Sequence, residues 1–279
     1  MAITKTDDKK QRWLITGATG FVGSAVMRTL ATHEIDTTCV VRRGSTVPGA
    51  DQTIETEDLF AETAEWWAEA CHHIDLVLHI AWYAEPGKYL TSDKNLKCLT
   101  GTLALAKGAA LAQVNRFVGA GTCVEYEFGD GFLHPDGPLD PQTPYAAAKV
   151  SAYLMLKTFL AQKHISFLWA RLFYLYGQGE DPRRLAPYIR QQLESGQIAN
   201  LTDGTQIRDF IDVDQAARLI VAEAMGDRTD ATNISTGTGQ TVRALAEAIA
   251  DEYGRRDLLN FGARAANLTD PPKIIGLRP

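Results

Sequence analysis

Trp13-Leu14-Ile15-Thr16-Gly17-Ala18-Thr19-Gly20-Phe21-Val22-Gly23 joins a short apolar strand to an amphipathic helix through three glycines at fixed offsets. Gly17, Gly20 and Gly23 let the chain turn tightly, let a phosphate approach bare backbone, and let the helix press against the strand. The helix they open carries Phe21, Val22, Ala25, Val26 and Leu30 on one stripe. Its first NH groups would point at a pyrophosphate. A glycine triplet by itself is a weak signal, because many turns carry two or three; its place between strand and helix makes it specific.

The chain has 279 residues, 45% of them hydrophobic, enough for one large α/β domain or two closely joined lobes. Its formal net charge is -6 and no run of lysine or arginine exceeds a pair. That balance carries no electrostatic footprint for nucleic acid or an anionic membrane, so a small molecule is the expected partner. Cys39, Cys71, Cys98 and Cys123 lie far apart, without the spacing of a metal site or redox motif, and read as reduced thiols. Thr4 to Arg12 is polar where a secretion signal needs an apolar segment, and no apolar run approaches the roughly 20 residues that span a bilayer. A soluble, cytoplasmic protein without a metal is expected.

Downstream, strand and helix patterns alternate, which predicts a doubly wound parallel sheet. Thr37 to Val41 is a second strand and ends in Arg42-Arg43-Gly44. In a dinucleotide fold an acidic residue here bonds the ribose 2′-hydroxyl, whereas arginine accommodates a 2′-phosphate. No Asp or Glu ends this strand, so NADP is expected over NAD. A weak third strand near Gln52 to Glu55 is followed by Asp58-Leu59, a helix from Ala61 to Ala70, and a nearly continuous apolar strand from Asp75 to Ala81. His79 inside that strand reads as a hydrogen-bonded core residue. Trp82 and Tyr83 leave the strand's carboxyl end, where open α/β sheets place ligands, and are pocket candidates. A long helix, about 92 to 113, precedes a strand at Arg116 to Ala120.

Tyr145-Ala146-Ala147-Ala148-Lys149 puts a phenol and an ammonium on one helical face. A free tyrosine titrates near 10 and moves protons poorly at neutral pH unless a nearby positive charge stabilises its phenolate. Lys149 would supply that charge. The spacing is common by chance, and a surface pair is the ordinary alternative; its conjunction with the glycine turn makes it informative.

The run TGATGFVGS, with its Gly-x-x-Gly-x-x-Gly spacing, together with Tyr145 and Lys149, resembles the extended short-chain dehydrogenase/reductase family. The resemblance implies a Rossmann sheet with a smaller C-terminal substrate lobe. Residues 1–172, completed by a return segment near 207–235, would form the dinucleotide-binding domain, and 173–279 mainly the substrate-binding lobe. Thr19, Phe21, Val22, Asp58, Leu59 and Ala81 would join the glycines around the cofactor. The family's third catalytic member is a Ser or Thr four residues before a tyrosine at a strand end, and Thr122, with Tyr126 four residues on, takes that place. Sugar-nucleotide 4,6-dehydratases of the family set acidic residues directly after that threonine; Cys123 and Val124 stand there, which disfavours dehydration. Asn95 resembles the family's structural asparagine.

In the substrate half, Phe167 to Gly177 resembles the family's sixth strand and its exit, without the usual asparagine. Gly179 to Arg184 is expected to begin a helix running through Leu185, Ile189 and Leu193. Leu201 to Asp214 resembles the segment whose arginine clamps a substrate diphosphate, and Arg208 takes that role by position; a salt bridge to Asp209, Asp212 or Asp214 is the alternative. Tyr83, Cys123, Tyr174 and Arg183 are further substrate candidates. The chain ends soon after Pro271-Pro272, so the last lobe elements are expected to be reduced. The resemblance implies hydride transfer to the 4-keto group of a nucleotide-linked 6-deoxyhexose, with Thr122, Tyr145 and Lys149 as the catalytic set. A 4-epimerase holding NAD is the alternative, and a non-catalytic dinucleotide sensor a third, against which the tyrosine and lysine argue. A homodimer through the helices near 92–113 and 143–162 is also implied.

Overall fold

The computed structural model describes residues 10–265 and 270–278. Strands whose side chains are apolar on both faces must be covered by helices on both, and that requirement shapes the larger part of the chain. β1 (Gln11–Thr16), β2 (Ile35–Arg42), β3 (Gln52–Thr56), β4 (Leu76–His79), β5 (Arg116–Thr122), β6 (Ser166–Leu172) and β7 (Asp230–Ile234) form one parallel sheet in the order β3-β2-β1-β4-β5-β6-β7. Within β1 the side chains alternate: Trp13 and Ile15 enter one core and Leu14 the other.

The first core takes α1 (Phe21–Leu30) and α6 (Val213–Met225); the second takes α2 (Ala64–Ala70), α3 (Lys94–Leu111) and α4 (Pro144–Gln162). A third core lies outside the sheet, where Ala186, Ile189 and Leu193 of α5 (Leu185–Glu194) meet Leu245, Ala246 and Ile249 of α7 (Val242–Tyr253). A four-stranded sheet of 240–241, 207–208, 273–276 and 132–133 flanks it. The strand order reverses between β1 and β4, and the carboxyl ends of both open into a crevice, the position where such sheets bind ligands.

The strand and its exit read over 167–177 divide at Phe173: β6 stays in the large sheet, while Tyr174–Tyr176 pairs with Phe210–Asp212. Residues 179–184 are not helical; Asp181 accepts a hydrogen bond from the Arg183 amide at 2.9 Å, a local turn that competes with a helix. α5 therefore starts at Leu185, with Pro187 in its first turn, where a missing NH removes no helical bond. Among the described residues no helix is long and apolar enough to cross a membrane, and no cluster of His, Cys, Asp and Glu is placed to hold a metal. All four cysteines are free and buried.

His79 is a core residue, with Nδ1 2.7 Å from the Thr16 hydroxyl and Nε2 2.8 Å from that of Thr102. Burial, helped by the positive charge of Lys149, pushes it down to about 3. The unfolded chain binds a proton at His79 below about 6.5 and the folded chain does not. Stability therefore falls as pH drops from about 6.5 toward 3, with His79 contributing up to about 1.4 kcal/mol per pH unit. Urea unfolding at several pH values checks this: His79→Gln is expected to remove that part of the slope, and an unchanged slope would contradict a neutral buried imidazole.

Candidate active site

The glycine turn sits at the crevice because nothing larger than glycine fits it. Gly17 has φ +79, and a Cβ there would lie 2.7 Å from the Ala81 amide nitrogen at the end of β4. A Cβ on Gly23 would collide with the Gly17 carbonyl. Gly20 is the N-cap of α1 and no side chain caps that helix, so its opening amides face the crevice without a protein acceptor. This bare, positively poled end fits a dinucleotide pyrophosphate.

The crevice has a volume of about 1240 Å³, more than one drug-sized ligand needs, so a cofactor and a second molecule can share it. Gly17, Thr19, Gly20, Phe21, Val22, Gly23, Arg42, Asp58, Leu59 and Ala81, the residues expected around a cofactor, all line it. Arg43 does not line it; its guanidinium pairs with Glu57 at 2.8 Å in solvent. Asp58 is tied to Lys97 at 2.5 Å and accepts from the Phe60 amide at 3.0 Å.

Thr122, Cys123, Tyr145, Tyr83, Tyr174, Arg183 and Arg208 line the crevice as well. The β5 end positions Thr122, whose backbone amide donates to Glu125 Oε1 at 2.8 Å. α4 positions Tyr145: Thr143 caps the helix by accepting from the Ala146 amide at 3.2 Å, and the Tyr145 amide donates to the Leu90 carbonyl at 3.1 Å. Burial raises the Tyr145 phenol above its ordinary value, the neighbouring Tyr89 adds to this, and a hydrogen bond with Thr122 opposes it. One turn on, Lys149 is buried and donates to the Ala120 carbonyl at 2.6 Å. Its ammonium is pushed down to about 7 by burial, against the pull of Glu125. The site thus combines two hydroxyls on the crevice wall with a buried ammonium one helical turn after Tyr145, groups able to polarise or protonate a carbonyl oxygen.

Arg208 is almost wholly buried, and its Nη2, 2.7 Å from Asp270 Oδ1, lacks a well-aligned hydrogen bond. The three acids expected as its partners are engaged elsewhere. Asp209 accepts from the amides of Thr236 and Gly237, Asp212 caps α6, and Asp214 pairs with Arg28 at 2.5 Å. Glu125, three residues after Thr122, is fully buried against Arg171 at 2.7 Å and does not line the crevice.

The sequence pattern did not single out Tyr89, Glu180 or Asp270, which also line the crevice. They come from loops whose course no local periodicity fixes. Burial holds Glu180 up at about 6, and its Oε2 has no hydrogen-bond partner. Trp82, marked only as an aromatic beyond a strand end, stands directly over Lys149.

Residues 13–234 match the model of the NAD dependent epimerase/dehydratase family. The chain belongs to this family. It is an enzyme of the extended short-chain dehydrogenase/reductase type, among sugar-nucleotide epimerases, dehydratases and dehydrogenases. The dTDP-6-deoxy-L-talose 4-dehydrogenase (NAD(+)) of Aggregatibacter actinomycetemcomitans is 22% identical over 95% of this chain and 99% of its own length. The UDP-glucose 4-epimerase of Bacillus subtilis is 26% identical over 93% of this chain and 89% of its own. The structure of MoeE5 in complex with UDP-glucuronic acid and NAD superposes with a TM-score of 0.81 at 26% identity, covering 96% of this chain and 90% of that one.

Replacing Tyr145 with Phe removes the proton and keeps the ring that packs edge-on to Tyr89 at 4.8 Å. Turnover is expected to fall by about 10²-fold or more, while cofactor affinity measured by calorimetry stays within about threefold. Full activity in Tyr145→Phe would remove the phenol from the chemistry.

Proposed function

We propose that this chain is an NADP-dependent oxidoreductase that delivers a hydride to the 4-keto group of a nucleotide-linked 6-deoxyhexose. The observation that carries the reading is the hydroxyl pair of Thr122 and Tyr145 on the crevice wall, with Lys149 buried one helical turn after Tyr145 and no free acid at the positions directly after Thr122. Dehydration needs an acid and a base next to the threonine. Cys123 is held up at about 12 by burial, Val124 carries no proton, and Glu125 is locked to Arg171.

The dinucleotide, its pyrophosphate held at the glycine turn, would supply the hydride from its nicotinamide. Tyr145 gives its proton to the substrate oxygen as the carbonyl becomes an alcohol, and Thr122 holds that oxygen by hydrogen bonding. Lys149 offsets the charge left on the phenolate. Arg208, buried at the crevice wall with its Nη2 facing Asp270 at 2.7 Å but without a well-aligned hydrogen bond, suits a diphosphate that displaces that carboxylate. In this reading residues 1–172 with 207–235 hold the cofactor, and most of 173–279 holds the sugar nucleotide. The 6-deoxy-talose dehydrogenase among the relatives supports chemistry at C4.

The NADP preference rests on Arg42 at the β2 end, which lines the crevice where a 2′-phosphate would lie. A second reading, 4-epimerisation with tightly held NAD, is favoured by the UDP-glucose 4-epimerase relative and by the NAD of the MoeE5 complex. We also propose a homodimer through α3 and α4, whose Leu96, Leu154 and Met155 are exposed.

Calorimetry of NADPH and NADH binding tests the cofactor assignment. NADPH is expected to bind at least about tenfold more tightly, and Arg42→Ala to abolish the difference, since a charged hydrogen bond contributes roughly 1.5–3 kcal/mol. Equal affinities in the wild type would make the epimerase the leading reading. Sedimentation of wild type and Leu154→Glu tests the dimer: a dimer that the glutamate dissociates is expected, and a monomeric wild type would refute it.

A further inference from the structure

The Lys149 ammonium has two direct neighbours of opposite kind. One is the Ala120 carbonyl at 2.6 Å; the other is the face of Trp82, its ring centroid 3.9 Å from Nζ. No carboxylate among the described residues forms an ion pair with it. The Trp82 indole is itself held. Its Nε1 donates to Asn95 Oδ1 at 2.8 Å, and the buried Asn95 amide donates to the carbonyls of Tyr89 at 2.6 Å and Ser92 at 2.9 Å. Phe60 and Tyr145 pack against the indole edge-on, at 6.5 and 6.4 Å between centroids. One side chain thus touches the cation on its face and the phenol at its edge.

We propose that Trp82 is a positioning residue for the catalytic pair: its indole, locked by Asn95 and packed against the Tyr145 ring, keeps the Lys149 ammonium charged and fixed in place one helical turn from Tyr145. The choice of an aromatic partner follows from what the lysine must do. A carboxylate would hold the ammonium more strongly but would cancel its field at the phenolate. An indole face, the best aromatic partner for a cation, binds it while leaving the net positive charge intact. The other groups facing Lys149 fit this account. His79 from β4 is neutral at physiological pH, Cys98 from α3 is a thiol raised by burial, Trp169 from β6 adds a second ring at 5.6 Å, and Glu125 after β5 is compensated by Arg171. Trp82 is then the aromatic face nearer to the ammonium, at 3.9 Å against 5.6 Å for Trp169, and a contact that substitution can remove.

The catalytic part of this proposal rests on Tyr145 and Lys149 moving the proton; the placement of Lys149 does not. The test uses the cofactor-free full chain labelled with 13C at lysine Cε, with Lys149 assigned by its loss in Lys149→Arg. In wild type the Lys149 resonance is expected to be shifted upfield by the indole ring current and to titrate near pH 7. Trp82→Leu is expected to lose the upfield shift and to titrate about one pH unit lower. Trp82→Phe should retain the sense of both effects at reduced size and serves if the leucine variant fails to fold. With a nucleotide-linked 4-keto sugar at pH 7, Trp82→Leu should lower kcat about tenfold with KM within about threefold, and Trp82→Phe should recover most of the loss. An unchanged or raised Lys149 midpoint in Trp82→Leu overturns the proposal, as does an altered midpoint with unchanged kcat. If wild type turns over no such sugar while the resonance behaves as expected, the placement of Lys149 is supported and the reading of the reaction is overturned.

Discussion

The ion pair between Glu125 and Arg171, both wholly buried, is the contact on which the two halves of the molecule are registered. Glu125 accepts from the Thr122 amide and from Trp169 Nε1, at 2.8 and 3.0 Å, fixing the turn that leaves β5 against β6. Arg171 donates to the Tyr126 hydroxyl at 3.1 Å and to the Pro135 carbonyl at 3.0 Å. Tyr126 in turn donates to Asn233 of β7 at 2.7 Å, and the Asn233 amide donates to the carbonyls of Leu133 and Leu277. Buried charges of this kind contribute little net stability when fully satisfied, yet losing one partner costs roughly 3–5 kcal/mol. The network's consequence is geometric. It holds Thr122 at the crevice wall, ties the small sheet to the large one, and keeps the Glu125 carboxylate, three residues on, away from the crevice.

Desolvation sets the electrostatics of the crevice. Burial raises the phenol of Tyr145 and lowers the ammonium of Lys149, so each opposes the ionisation that the other favours. The Thr122 hydrogen bond and the π face of Trp82 act in the other direction, lowering the cost of the phenolate and of the cation. The glycine turn contributes the remaining positive pole through backbone alone, at a spot where Ala81 and the Gly17 carbonyl leave no room for a side chain.

Much of this was legible in the sequence because it is local. Gly17, Gly20 and Gly23 announce a turn at fixed offsets, and Tyr145 and Lys149 share a helical face by spacing alone. The alternation of strand and helix patterns gives the parallel sheet, and the apolar run around His79 marks that histidine as core. What escaped depends on contacts between distant segments. The two arginines after β2 look equivalent in sequence, but Arg42 lines the crevice while Arg43 finds Glu57 across a solvent-exposed gap. Arg208 has three acids within six residues and pairs instead with Asp270, sixty-two positions away, because Lys273–Gly276 lies beside Ile207–Arg208 in the small sheet. Residues 179–184 read as a helix start until Asp181 captures the Arg183 amide. The stacking of Lys149 on Trp82 joins the end of β4 to the middle of α4, and no periodicity in either predicts it.

Isotope transfer tests the central claim most directly. The enzyme is given NADPH deuterated at the transferable position of nicotinamide C4, with a nucleotide-linked 4-keto-6-deoxyhexose, and the product sugar is weighed by mass spectrometry. A reductase places deuterium at sugar C4, making the product one mass unit heavier than with unlabelled cofactor, and consumes one NADPH per sugar. Unlabelled sugar with no net loss of NADPH, accompanied by C4 epimers when a nucleotide hexose is supplied instead, would contradict it.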